Sequence, residues 1–133
     1  MIVLDEHLLH PRIKEGIERW YQGKVSPITE LRPGTLIYDD AITSLLHRVP
    51  DPSFVTLNVS DFWRKMKPNK RFFVACLHVR DREEGRVPPL LQRLFRLAPF
   101  QTKKGRMGKI ALVGAKEVNY YTTESWAVQS IPW

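Results

Sequence analysis

The sequence predicts an α/β fold, with a mainly parallel sheet covered by helices on both faces and a C-terminal β-hairpin. Three observations predict it. The apolar runs Ile2-Val3-Leu4, Phe54-Val55-Thr56-Leu57 and Phe72-Phe73-Val74-Ala75-Cys76-Leu77 are continuous rather than alternating, the pattern of strands buried on both faces. The segments between them carry apolar residues at helical spacing. Near the end, Ile110–Val113 and Val118–Tyr121 flank Gly114-Ala115-Lys116, which reads as a hairpin.

In chain order, the first strand is followed by Leu9, Ile13, Ile17 and Trp20, one apolar stripe on a helix expected from about His7 to Tyr21, with Pro11 in its first turn and Gly23 after it. Val25–Leu31 is a weak strand interrupted by Pro27, and Arg32–Thr35 is a turn. Asp39-Asp40 opens a second helix through Ala41, Ile42, Leu45 and Leu46, which ends at Val49–Pro52. The Phe54–Leu57 strand closes on Asn58, and a short helix follows near Asp61–Trp63. After the third strand, Pro88-Pro89 opens a helix carrying Leu90, Leu91, Leu94, Phe95 and Leu97, and Gln101–Lys109 is a basic loop before the hairpin. The stretch 122–133 has two tryptophans and no clear period. It is expected to pack back on the domain or to bind a partner.

The 133 residues suit one domain, and 43% hydrophobic with 26% charged residues argues against a disordered chain. No apolar run approaches the ~18 residues of a membrane span. Met1–Glu6 turns acidic at once, which argues against a signal peptide. The single cysteine, Cys76, excludes an internal disulfide and favours a reducing, cytoplasmic setting; inside an apolar strand it reads as an inert core residue. No glycine-rich phosphate loop, dinucleotide fingerprint or serine-hydrolase elbow is present. His7 and His10 have metal-ligand spacing, but such pairs are more often surface contacts.

The net charge of +7 is unevenly spread. Residues 1–62 hold nine acids and six bases, net −3, whereas residues 63–133 hold five acids and fifteen bases, net +10. Such asymmetry suggests a polyanionic partner on one side. Two acid-free segments are the densest. Arg64, Lys65, Lys67, Lys70 and Arg71 lie in one, and Lys103, Lys104, Arg106 and Lys109 in the other. Trp63, Phe72 and Phe100 adjoin them, and bases interleaved with aromatic rings are how single-stranded nucleic acid is commonly held.

The acids fall at element ends. Asp5 and Glu6 follow the first strand, Asn58 and Asp61 follow the second, and Asp39 and Asp40 start a helix. In an open α/β sheet, ligands bind beyond the carboxyl ends of the strands. Clustered carboxylates repel unless a cation such as magnesium or manganese neutralises them. Asp39 and Asp61 also serve as helix caps in the simplest reading, whereas an acid ending a core strand, as Asp5 does, needs a partner.

The chain resembles the compact PIN-like domains, relatives of the VapC toxin ribonucleases and of the PIN-like module of Mut-type exonucleases. The resemblance rests on Val3-Leu4-Asp5-Glu6, Asp39-Asp40-Ala41-Ile42, Phe54–Asn58 with Asp61-Phe62, and the Gly108-Lys109-Ile110 hairpin start, and it covers residues 1–121. It implies an α/β/α sandwich and a metal-dependent ribonuclease with Mg2+ or Mn2+ among its acids. Carried over, Asp5, Asp39 and Asp61 are the expected catalytic acids, with Asp40 and Asn58 as further metal ligands. Asn58 stands where the family usually has an aspartate, and Asp61 lies one residue further along than the usual acid. The expected partners are RNA, a small antitoxin-like protein and a second copy of the chain, with no membrane. The alternative is a module of the same fold that binds RNA or a protein and does not cut. A receiver-like signalling domain shares the early acids but lacks a clear central phosphoacceptor aspartate.

Overall fold

A computed structural model describes residues 1–31, 39–80 and 82–133, with only the backbone of Asp39 and Asp40. The elements are β1 (Ile2–Leu4), α1 (Pro11–Glu18), β2 (Val25–Pro27), α2 (Asp39–Leu46), β3 (Ser53–Thr56), α3 (Val59–Phe62), β4 (Phe73–Leu77), α4 (Val87–Leu94), α5 (Lys103–Arg106), β5 (Lys109–Val113), β6 (Glu117–Thr122) and β7 (Gln129–Pro132). One seven-stranded sheet has the order β2-β1-β3-β4-β5-β6-β7. The first five strands of that order pair in parallel, and β6 and β7 are antiparallel additions.

Every residue of β1, β3 and β4 is buried, because both faces of the sheet are covered. On one face Ile13 and Ile17 of α1 and Leu91 and Leu94 of α4 pack with Ile2, Leu4, Val55 and Ala75. On the other face Ile42, Leu45 and Leu46 of α2 and Phe62 of α3 pack with Val3, Phe54, Val74 and Cys76. These three layers agree with an α/β/α sandwich. Gly16 lets α1 approach α4 closely: a Cβ there would lie 2.7 Å from Cγ of Pro88. Both sheet edges end in proline, Pro27 in β2 and Pro132 in β7, which removes a donor from each exposed ladder. Among the described residues no helix is long and apolar enough to cross a membrane.

Two local expectations are corrected. The helix expected from His7 begins instead at Pro11, after a separate 3-10 turn at Glu6–Leu8. Proline fits only the first helical turn and pushes the residue before it out of the helical region. His10 accordingly has ψ 128° and caps α1 through Nδ1, which accepts from the Arg12 N–H. Leu8 is therefore buried, and Leu9 is exposed. The basic loop 101–109 contains the short helix α5, capped by the Thr102 hydroxyl, which accepts from the Gly105 N–H. The segment after Thr122 returns along β6 as β7. The Arg32–Thr35 turn lies outside the described residues.

Candidate functional site at the carboxyl edge

The chain leaves β1 toward β2 on one side, and β3 lies on the other side of β1. The crevice beyond the β1 and β3 carboxyl ends is thus a topological switch point, where open α/β sheets bind ligands. Asp5 lies there, one residue past β1, and its N–H continues the ladder by donating to the Val55 carbonyl at 3.0 Å. Its side chain is buried. Oδ1 accepts from the Glu6 N–H at 2.8 Å, and Oδ2 accepts from the Thr56 hydroxyl at 2.6 Å. The last residue of β3 therefore holds the acid that follows β1.

The network continues outward. The Thr56 Oγ1 accepts from the Asn58 N–H at 3.0 Å. Asn58 caps α3: its Oδ1 accepts from the Asp61 N–H and the Ser60 hydroxyl, each at 3.3 Å, and its Nδ2 donates to Oδ2 of Asp61 at 2.6 Å. Asp5, Thr56, Asn58 and Asp61 form one hydrogen-bonded chain running from the core to the exposed Asp61. Thr56 pairs in register with Cys76. Burial, followed by the charge of Asp5, pushes the Cys76 thiol up to about 12, so it stays protonated and is no nucleophile near neutrality.

The last turn of α2 leads through Val49–Pro52 into the first residue of β3. The side chains of Asp39 and Asp40 lie outside the described residues. Among the described residues, no three His, Cys, Asp or Glu side chains come together to hold a metal ion. Asp5 and Asp61 are the two described carboxylates of this network, and the carbonyl oxygen of Asn58 is already engaged by α3. His7 lies in the 3-10 turn and His10 caps α1, beside Glu84.

The basic segments lie at the opposite edge. They precede β4 and β5, so in this parallel sheet they flank the amino ends, about 13–16 Å of strand away from the acids. Lys65, Lys67, Lys70, Arg71, Lys103 and Lys104 are exposed there, and Lys109 is half-buried with its ammonium donating to the Gly105 carbonyl. Arg106 is not among the exposed bases. It is buried, its guanidinium lies 4.0 Å from the Phe95 ring centroid, and Nη1 donates to the Phe100 carbonyl at 2.9 Å. Arg64 turns back on the fold, over the ring of Tyr121 at 4.7 Å. Thr56, the direct partner of Asp5, was not anticipated from the sequence, although a threonine ending the second apolar strand is the signal that marks it. No family model, no curated protein and no solved structure matches this chain.

Proposed function

We propose that this chain is a PIN-like, metal-dependent ribonuclease whose reacting site is the β1/β3 crevice. The observation that carries the reading is the Asp5 carboxylate, buried at the switch point and fixed by the Thr56 hydroxyl. An acid fixed by its neighbours loses little freedom when it takes up a cation or a water. Asp61 supports the reading from α3, and an opening acid of α2, Asp39 or Asp40, would supply the third carboxylate. A divalent cation held by such a set lowers the pKa of bound water and stabilises charge on a phosphodiester.

A second reading, a module that binds RNA without cutting it, is favoured by one observation. Asn58 brings no charge, and its amide already serves α3 and Asp61. Cleavage of labelled RNA with manganese separates the two. Wild type that cuts, and stops when the cation is chelated, supports the nuclease. Inert wild type together with an active Asn58→Asp variant supports the binding module. If both are inert, and neither binds manganese by electron paramagnetic resonance, the metal reading fails.

A further inference from the structure

We infer that a single strand of nucleic acid lies along the amino edge of the sheet, on the side opposite the acids, with its phosphates on lysines and one base stacked on Trp126. This rests on the RNA part of the reading above and is independent of whether the carboxyl edge cuts.

Two adjoining clefts define the surface. A larger one, of about 1000 Å3, is lined by Lys70, Lys103, Lys104 and Lys109 and floored by the hydroxyl residues Thr122, Thr123 and Ser125. A smaller one, of about 420 Å3, is lined by Lys67, Lys70, Arg71 and Trp126. Lys70 and Thr123 belong to both, so the path is continuous. Gly108 lies at the junction. Its φ is +85°, its N–H donates to the Phe72 carbonyl, its carbonyl accepts from the Thr123 N–H, and a Cβ there would lie 3.8 Å from Cα of Lys70.

The charge in these clefts is one-sided. Six bases line them against two acids, Asp51 and Glu124. None of the six is in an ion pair among the described residues. An excess of one sign of charge raises the local potential and draws in a polyanion.

Trp126 distinguishes a nucleic-acid strand from other polyanions. It is 45% exposed, a large apolar side chain left in water beside the lysines. It is also held in place. Its ring stacks on buried Tyr121 with centroids 5.3 Å apart and planes 24° apart, and the Arg64 guanidinium donates to its backbone carbonyl. A fixed, half-exposed indole beside a row of cations suits an unpaired base next to its phosphates. An acidic peptide would use the lysines and leave the ring idle, and a duplex keeps its bases stacked inside.

The test is fluorescence anisotropy with a labelled oligouridine of about 12 nucleotides, in chelator so that nothing is cut. Compared with wild type are Trp126→Ala, Trp126→Phe, Lys103→Gln with Lys104→Gln, and Asp5→Asn. Trp126→Ala should weaken binding roughly ten-fold and Trp126→Phe should restore most of it. The double lysine variant should lower the slope of log affinity against log salt by about 1.4, about 0.7 per lost phosphate contact. Asp5→Asn should bind like wild type, so that a failed cleavage reading leaves this result standing. Thermal melting confirms that each variant is folded. The inference is overturned if folded Trp126→Ala binds as wild type does, or if polyglutamate or the matching duplex competes as well as the single strand.

Discussion

Replacing Thr56 by valine tests the carboxyl-edge network with little change of shape. The side chain is fully buried and its hydroxyl makes two bonds, donating to the buried Asp5 carboxylate at 2.6 Å and accepting from the Asn58 N–H at 3.0 Å. A hydrogen bond to a charged group contributes about 1.5–3 kcal/mol, and a neutral one about 1 kcal/mol. Thr56→Val should therefore destabilise the fold by about 2–4 kcal/mol. For a chain of this length that lowers Tm by roughly 7–14 °C. Thr56→Ser keeps the hydroxyl and loses only a methyl group, so it should cost about 1 kcal/mol. Urea unfolding at neutral pH reads both. In a double-mutant cycle with Asp5→Asn, the two sites should couple by at least about 1 kcal/mol, because asparagine removes the charge that strengthens this bond and leaves one acceptor oxygen for the two donors, Thr56 and the Glu6 N–H. A Thr56→Val protein within about 0.5 kcal/mol of wild type, or strict additivity with Asp5→Asn, would refute the claim that this hydroxyl fixes the acid.

Three further outcomes are expected. Gly16→Ala gains helix propensity worth about 1 kcal/mol, but its methyl meets the rigid Pro88 ring at 2.7 Å; the clash should win, with a net loss of about 1–2 kcal/mol by chemical denaturation. Arg106→Met should lower Tm through the lost Phe100 hydrogen bond and Phe95 contact while leaving the salt dependence of RNA binding unchanged; a flatter salt slope would return Arg106 to the nucleic-acid surface. Burial, followed by Cys76, pushes the Tyr121 hydroxyl up to about 12 from 10.0, and the Cys76 thiol rises to about 12 from 9.0. Both folded values lie above the unfolded ones, so this stabilisation is complete below pH 9.0 and is lost as pH rises toward about 12. Unfolding free energies measured across that range should fall, and the fall should shrink in Tyr121→Phe.

The sheet was legible because its central strands are buried on both faces, leaving Phe54–Leu57 and Phe72–Leu77 without polar alternation. The start of α1 is not legible from periodicity, because the apolar stripe runs back past Pro11, where backbone sterics outweigh it. The separation of the two charged edges was available in the order of the chain: Asp5 and Asn58 follow strands, whereas Arg71 and Lys109 precede or open them. Charge alone did not distinguish Arg106 from its exposed neighbours, since its burial depends on Phe95, just past α4, and Phe100 from the following turn reaching it in three dimensions. Trp126 was hidden in a segment without periodicity, and its place beside the lysines follows only from the pairing of β6 with β7.

The measurement that bears most directly on the account compares wild type and Asp5→Asn with one labelled RNA in manganese, reading binding and cleavage from the same samples. Division of labour between the edges requires Asp5→Asn to bind as tightly as wild type and to cut at background, with wild type cutting. Equal cleavage by both proteins would remove Asp5 and the β1/β3 crevice from the reaction.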